Sequence, residues 1–163
     1  MSTSNQVTLV SKEGEKFVTN EKAVERSKLI KNLLQDYPEE AEIPLTEVKT
    51  KTLKKIKEYL EYYQDKEPAP IPTPLYSNDF KANGISEWDI SFINIETSEV
   101  FELLTAANYM DIQSLLDLAA AKIASIIKGI TPEEINSKFN LPELSEEETE
   151  NIYKETQWCI DNI

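Results

Sequence analysis

From Val7 to Val10 the chain alternates as a half-buried strand does, with Val7 and Leu9 on one side and Thr8 on the other. Glu13 and Gly14 supply a turn, and Lys16 to Thr19 reads as the returning strand of a hairpin. The period then changes to that of helices. Asn20 is placed to cap a short helix through Val24. Ser27 is placed to cap a second, carrying Leu29, Ile30, Leu33 and Leu34, with Pro38 as its stop. Glu42 to Leu45 is a short extended piece whose Pro44 suits an edge or a loop. Thr50 opens a helix with Leu53, Ile56, Leu60 and Tyr63 on one face. This first block is mixed α and β with local hairpins, not a run of βαβ units.

Residues 66–85 break the periodicity. Pro68, Pro70, Pro72 and Pro74 alternate with other residues, which predicts polyproline-like extension and the role of a connector. A proline-rich ligand for another domain is the alternative reading of the same stretch. Helical spacing then resumes. Ser86 and Asp89 form a capping-box pattern, with Trp88 and Phe92 one turn apart. Ser98 starts a helix carrying Val100, Phe101, Leu103, Leu104 and Ala107. Asp111 is set to cap the next, with Ile112, Leu115, Leu116, Leu118, Ile123, Ile126 and Ile127. Its apolar residues cover more than one face, so the pattern predicts a central helix that ends at Gly129.

The last segment begins with the strongest start signal in the chain. Thr131 caps, Pro132 takes the first helical position and Glu134 closes the box; Ile135 and Phe139 follow on one face. After Asn140, Leu141 and Pro142, Ser145 and Glu148 make a second box. Ile152, Cys159 and Ile163 then lie near helical spacing, with Trp158 beside the stripe. Neither helix is long enough to hold itself together in water. Each must fold onto something, either its own domain or a partner.

Composition narrows the chemistry. The 163 residues suffice for one domain with a core and an appendage. There is no histidine, which removes imidazole as base or metal ligand, and the glycines at 14, 84 and 129 cannot build a phosphate-cradling loop. The chain is therefore not expected to be an enzyme or to hold a cofactor or metal. The opening residues lack a signal-peptide pattern and no apolar run reaches a membrane-spanning length, so no membrane partner is expected. The single Cys159 points to a reducing compartment. Residues 1–66 carry 12 Lys+Arg and 12 Asp+Glu, whereas 67–163 carry 5 and 18, so the whole net charge of −13 sits in the second part. That field repels nucleic acid and attracts basic protein partners, besides keeping the chain soluble.

The run from Trp88-Asp89 through Phe101-Glu102-Leu103, Ala106 to Ile112, Leu115-Leu116-Asp117, Ile126 to Gly129, Thr131 to Ile135, Phe139-Asn140 and Gln157-Trp158-Cys159 resembles the S-phase-kinase-associated adaptor family of SCF ubiquitin ligases. The match is dense over 85–159 and looser but colinear over 7–63. It implies an α+β fold: a BTB/POZ-like domain, a small sheet with helices, over 1–128, followed by two C-terminal helices over 129–163. It implies an adaptor that links a cullin scaffold to F-box proteins in the cytoplasm and nucleus, with a weak homodimer when free. Asn108 and Tyr109 match the cullin-facing positions, although the residues alone also fit a helix cap and a half-buried ring. Phe101, Leu104, Leu116, Ile135, Phe139, Ile152, Trp158 and Cys159 match the F-box-facing ones, some of them doubling as core. The proline matching Pro132 is hydroxylated and glycosylated in some members, while its place also fits plain helix initiation.

The chain departs from that pattern at Thr156, usually asparagine, and at Ile130, usually lysine. Its acidic loop is shortened to 38–42. Ile71, Leu75, Tyr76 and Phe80 stand where the family is polar, so the connector either packs on the body or serves something particular to this lineage. An elongin-C-like adaptor or a self-associating BTB scaffold outside ubiquitin chemistry are the alternatives. The former normally stops near Gly129.

Overall fold

The computed structural model describes residues 6–36, 42–142 and 144–160, with side chains through Trp158. Three strands form one sheet. β1 (Gln6–Val10) lies in the middle, antiparallel to β2 (Lys16–Asn20) and parallel to β3 (Glu42–Pro44). Leu9 faces Phe17 on one neighbour and Ile43 on the other, so the alternation of β1 sets the register of both pairings. Pro44 sits on an edge strand, where its missing N–H costs no ladder bond. Pro38 and the shortened acidic loop fall largely outside the described residues.

Among the described residues of the first unit, residues 1–126, five helices join the sheet: α1 (Glu21–Val24), α2 (Lys28–Asp36), α3 (Thr50–Tyr62), α4 (Glu87–Phe92) and α5 (Thr97–Tyr109), with most of α6 (Gln113–Ile127). Leu9, Ile30, Leu53, Ile56, Leu60, Leu103, Met110 and Leu115 are fully buried and bring the sheet, α2, α3, α5 and α6 into one core. Each such side chain stabilises by roughly 1.5–3 kcal/mol. The fold is α+β, with the helices following a small sheet, as the sequence pattern and the family resemblance imply.

Ser27 fastens α2 to the corner between α5 and α6. Its hydroxyl donates to the Met110 carbonyl at 2.5 Å and accepts from the Ile30 N–H at 3.2 Å, with the residue wholly buried. Ser27→Ala leaves a buried carbonyl and a helix N–H without this partner. It is expected to lower the stability of the full chain by about 1–3 kcal/mol, read from the midpoint of a urea melt.

Asp111 does not cap α6. It takes φ +49° and closes α5 instead. The Asp111 N–H donates to the Asn108 carbonyl and the Ile112 N–H to the Ala107 carbonyl, the paired bonds of a Schellman ending, with buried Ile112 over the last turn. An aspartate tolerates the left-handed region better than most residues, and here that need wins over capping. α5 itself begins at Thr97, one residue earlier than the sequence predicts, after Glu96. α6 is central only in part. Leu115, Leu118, Ala119 and Ala121 are buried, while Leu116, Ile123 and Ile126 are half-buried, because its apolar band is wider than the face that the body covers.

The connector is not an extended spacer throughout. Ile71 and Leu75 pack against the core and Phe80 is buried, whereas Tyr76 is 78% exposed. A short 3₁₀ turn, Lys81–Asn83, follows, and Gly84 ends it at φ +78°. Buried Asn83 organises the loop. Its amide oxygen accepts from the N–H groups of Tyr76 and Ser77, and its amide nitrogen donates to the carbonyls of Ser77 and Asp79, both at 2.7 Å. On α4, the Trp88 ring stacks on Tyr62 (3.7 Å between centroids) and on Phe92 (5.0 Å). The Tyr63 hydroxyl donates to the buried Asp89 carboxylate at 2.7 Å. Burial and that carboxylate push the Tyr63 hydroxyl far above its ordinary range.

The second unit, residues 127–163, holds α7 (Pro132–Phe139) and α8 (Glu146–Ile160). Both capping boxes predicted from the sequence are formed. Glu134 N–H donates to Thr131 Oγ1 and Thr131 N–H to Glu134 Oε2; Ser145 and Glu148 repeat the arrangement. Asn140, at φ +48°, turns the chain out of α7.

Candidate partner-binding surfaces

On the first unit the exposed stripe of α5 is set by helical spacing. Val100, Leu103, Ala106, Ala107 and Met110 face the core, which leaves Phe101, Thr105, Asn108 and Tyr109 on the outside. Phe101 is 40% and Tyr109 36% exposed. Asn108 is exposed, and its side chain makes no hydrogen bond among the described residues. Phe101, Glu102 and Thr105 border a groove of about 260 Å³ whose other wall carries Glu47 and Lys49 from the approach to α3. Lys49 Nζ pairs with Glu102 at 2.7 Å, and Lys51 with Glu99. The hydrogen bond from Lys49 holds the Glu102 carboxyl below its ordinary value. This rim therefore stays ionised, and its pairs fix the edge of the groove more than they stabilise the fold.

Among the positions assigned to F-box contact, Phe101 shares its stripe with Asn108 and Tyr109. Leu104 lies farther round α5 and packs partly against the core; Leu116 does the same from α6. On the second unit Ile135 and Phe139 are one turn apart on α7 and half-buried. Ile152 is exposed on α8, and Trp158, about 120° round the helix from it, is 67% exposed. The side chain of Cys159 and all of Ile163 lie outside the described residues. Pro132 is exposed at the first position of α7, behind its Thr131 cap. Sequence periodicity passed over three further exposed apolar side chains in this unit: Leu141, Leu144 and Tyr153, the last 62% exposed. For Tyr153 the signal was present, since a large apolar residue off the stripe of a short helix has no core to enter; Leu141 and Leu144 lie between the two helices, where no periodicity applies.

The glutamates of this unit are arranged for helix starts. Glu148 is held below its ordinary 4.5 by the Ser145 backbone N–H and then by the Ser145 hydroxyl. A carboxylate whose folded value is depressed stabilises above its unfolded value and ceases to do so as pH falls through the folded one. Lowering the pH from neutral to below 4.5 is thus expected to release the start of α8. The protection factor of the Ser145 amide, its exchange rate taken against the intrinsic rate at each pH, should fall over that window in the native chain, and should be low already at neutral pH in Glu148→Ala.

Among the described residues no helix is long and apolar enough to cross a membrane, and no group of three or more His, Cys, Asp or Glu is placed to hold a metal ion. Comparison with known proteins covers almost the whole chain. Residues 5–65 match the tetramerisation domain of the Skp1 family and residues 113–159 its dimerisation domain. The S-phase kinase-associated protein 1 homolog of Tetrahymena thermophila is 41% identical over 158 residues, 96% of this chain and 95% of that protein. The E3 ubiquitin ligase complex SCF subunit sconC of Arthroderma benhamiae is 36% identical over 158 residues, 96% of each. Suppressor of kinetochore protein 1 of Schizosaccharomyces pombe is 35% identical over 159 residues, 96% of this chain and 99% of its own. Two matched domains in the expected order, and relatives of equal length at this identity, place the sheet, the α5–α6 corner and the capped terminal helices in one lineage: the chain belongs to the Skp1 family.

Proposed function

We propose that this chain is the adaptor subunit of an SCF-type ubiquitin ligase, joining a cullin scaffold to F-box substrate receptors and doing no chemistry itself. The observation that carries the reading is the near full-length similarity to an E3 ubiquitin ligase complex SCF subunit in a chain whose terminal helices keep Ile152 and Trp158 toward water. Residues 1–128 serve the cullin, through Asn108 and Tyr109, and residues 129–163 serve the F-box, through Ile135, Phe139, Ile152, Trp158 and Cys159. Leu104 and Leu116 divide their surface between core and partner. Helices with such narrow apolar stripes gain most of their order on binding, which subtracts from the gross interaction energy. Pro132 needs no role beyond starting α7, and the intact mass of protein from its native source tests for hydroxylation and glycosylation there.

Reconstitution tests the whole reading. The purified chain, an F-box segment and the N-terminal region of a cullin should elute as one ternary complex in size exclusion, with the chain required for the other two to meet. A chain that self-associates and ignores both would overturn it in favour of a BTB-type scaffold.

A further inference from the structure

We propose that the partner segment received by α8 is basic, and that one of its arginines stacks on Trp158 and forks onto Glu155. The inference rests on the ligase reading and supplies the chemistry of the F-box side. α8 stands open: of its described side chains only Thr149 is half-buried and the rest are exposed. Successive residues lie about 100° apart around a helix, so Thr149, Ile152, Tyr153 and Thr156 share an arc of roughly 100°. The remaining circumference is acidic. Glu146, Glu147, Glu148, Glu150 and Glu155 lie on it with Trp158 in their midst, and the helix carries one cation, Lys154. Two of these glutamates are committed. Glu148 accepts from the Ser145 N–H and hydroxyl, and Glu150 pairs with Lys154 at 2.8 Å. Helix initiation accounts for Glu146 and Glu147, which sit in the first turn. It does not account for Glu155, which enters no ion pair among the described residues and has no cation three or four positions away.

Charge complementarity selects the occupant. Residues 127–163 carry nine Asp+Glu against three Lys, a net charge of −6. That field repels nucleic acid, an acidic segment and a second copy of the same tail alike, and it draws a basic segment in. The arc of Ile152 and Tyr153 supplies the apolar contact, and the acidic side decides which segments are accepted. Around Trp158 the choice is narrower still. The indole is 67% exposed, and Glu155 precedes it by three residues, so the two side chains are neighbours one turn apart. A guanidinium stacks on an indole face while its planar fork meets a carboxylate with two parallel hydrogen bonds. A lysine ammonium gains the attraction without the fork, which makes arginine the better fit.

The test is a calorimetric titration of the full-length chain with the F-box segment that enters the ternary complex, repeated from about 50 to about 500 mM sodium chloride. Affinity is expected to fall by about tenfold over that range. Glu155→Gln is expected to bind about fivefold more weakly at low salt and nearly as well as the native chain at high salt. Its side chain is exposed, so its urea midpoint should match that of the native chain. Replacing the arginines of the segment by lysine one at a time should reveal one whose loss is felt in the native chain and not in Glu155→Gln. Binding that ignores salt would overturn the proposal, as would a segment in which no arginine is coupled to Glu155. No binding at any salt would instead remove the ligase reading, and this inference with it.

Discussion

Trp158→Ala is expected to weaken the binding of an F-box segment by at least about thirtyfold while leaving the urea midpoint of the chain almost unchanged. The argument rests on what the ring is doing before and after. In the free chain two thirds of its surface faces water, so truncation removes little folding energy. A tryptophan buried at the centre of an interface commonly contributes about 2 kcal/mol or more, and each 1.4 kcal/mol is about tenfold in affinity. Calorimetric titration alongside a melt separates the two quantities. Parallel losses in both would make Trp158 a core residue and end its candidacy as an anchor. Tyr153 supplies an internal comparison: it is exposed to a similar degree on the same helix, and its truncation reveals how far the partner wraps around α8.

The double substitution Asn108→Lys with Tyr109→Lys is expected to abolish cullin pull-down and to spare F-box pull-down. Both side chains stand outside the core on the last turn of α5, and the Schellman bonds there use only backbone groups, so the fold should tolerate the change. Two new cations in the centre of an interface would have to shed water without a counter-charge, at a cost of several kcal/mol. Loss of both pull-downs would show that the surface is shared or the fold impaired, and retained cullin binding would remove α5 from that role. Phe101→Ala refines the result. The family resemblance assigns Phe101 to the F-box, yet it shares a stripe with Asn108 and borders the Lys49–Glu102 groove. Whichever pull-down it weakens states which partner uses that end of the helix.

Much of this was legible before any coordinates. The hairpin from Val7 to Thr19, the Ser27 and Ser86 caps and the boxes at Thr131 and Ser145 are local signals, each resting on residues close together in the chain, and each is formed, although at Ser86 the Asp89 carboxylate accepts from the Ser86 hydroxyl and no reciprocal box forms. Errors arose where distant parts of the chain decide. The parallel pairing of β1 with β3 joins Leu9 to Ile43, and periodicity carries no information about partners so far apart. Asp111 has the composition of an N-cap, but the sharp corner between α5 and α6, pinned from outside by Ser27, requires a left-handed residue there. The breadth of the apolar band on α6 was read correctly as more than one face. How much of it the body covers depends on packing, and the answer is about half. Among the partner-facing positions, local spacing placed Trp158 and Ile152 on α8, whereas the company that Phe101 keeps on α5 emerges only from knowing which side of that helix the core occupies.

The connector's arrangement around Asn83 also bears on the chemical lifetime of the molecule. Asparagine followed by glycine is the pair most prone to slow deamidation, because the next backbone nitrogen can close on the amide carbon with little hindrance. Here that nitrogen, on Gly84, is already donated to the Lys81 carbonyl, and the amide is held at both of its ends. Folding thus guards its own weakest covalent point. Conversion to aspartate would set an oxygen against the Ser77 and Asp79 carbonyls, so the loop would come undone at the same moment the residue aged, and an old molecule would differ from a fresh one first on this side.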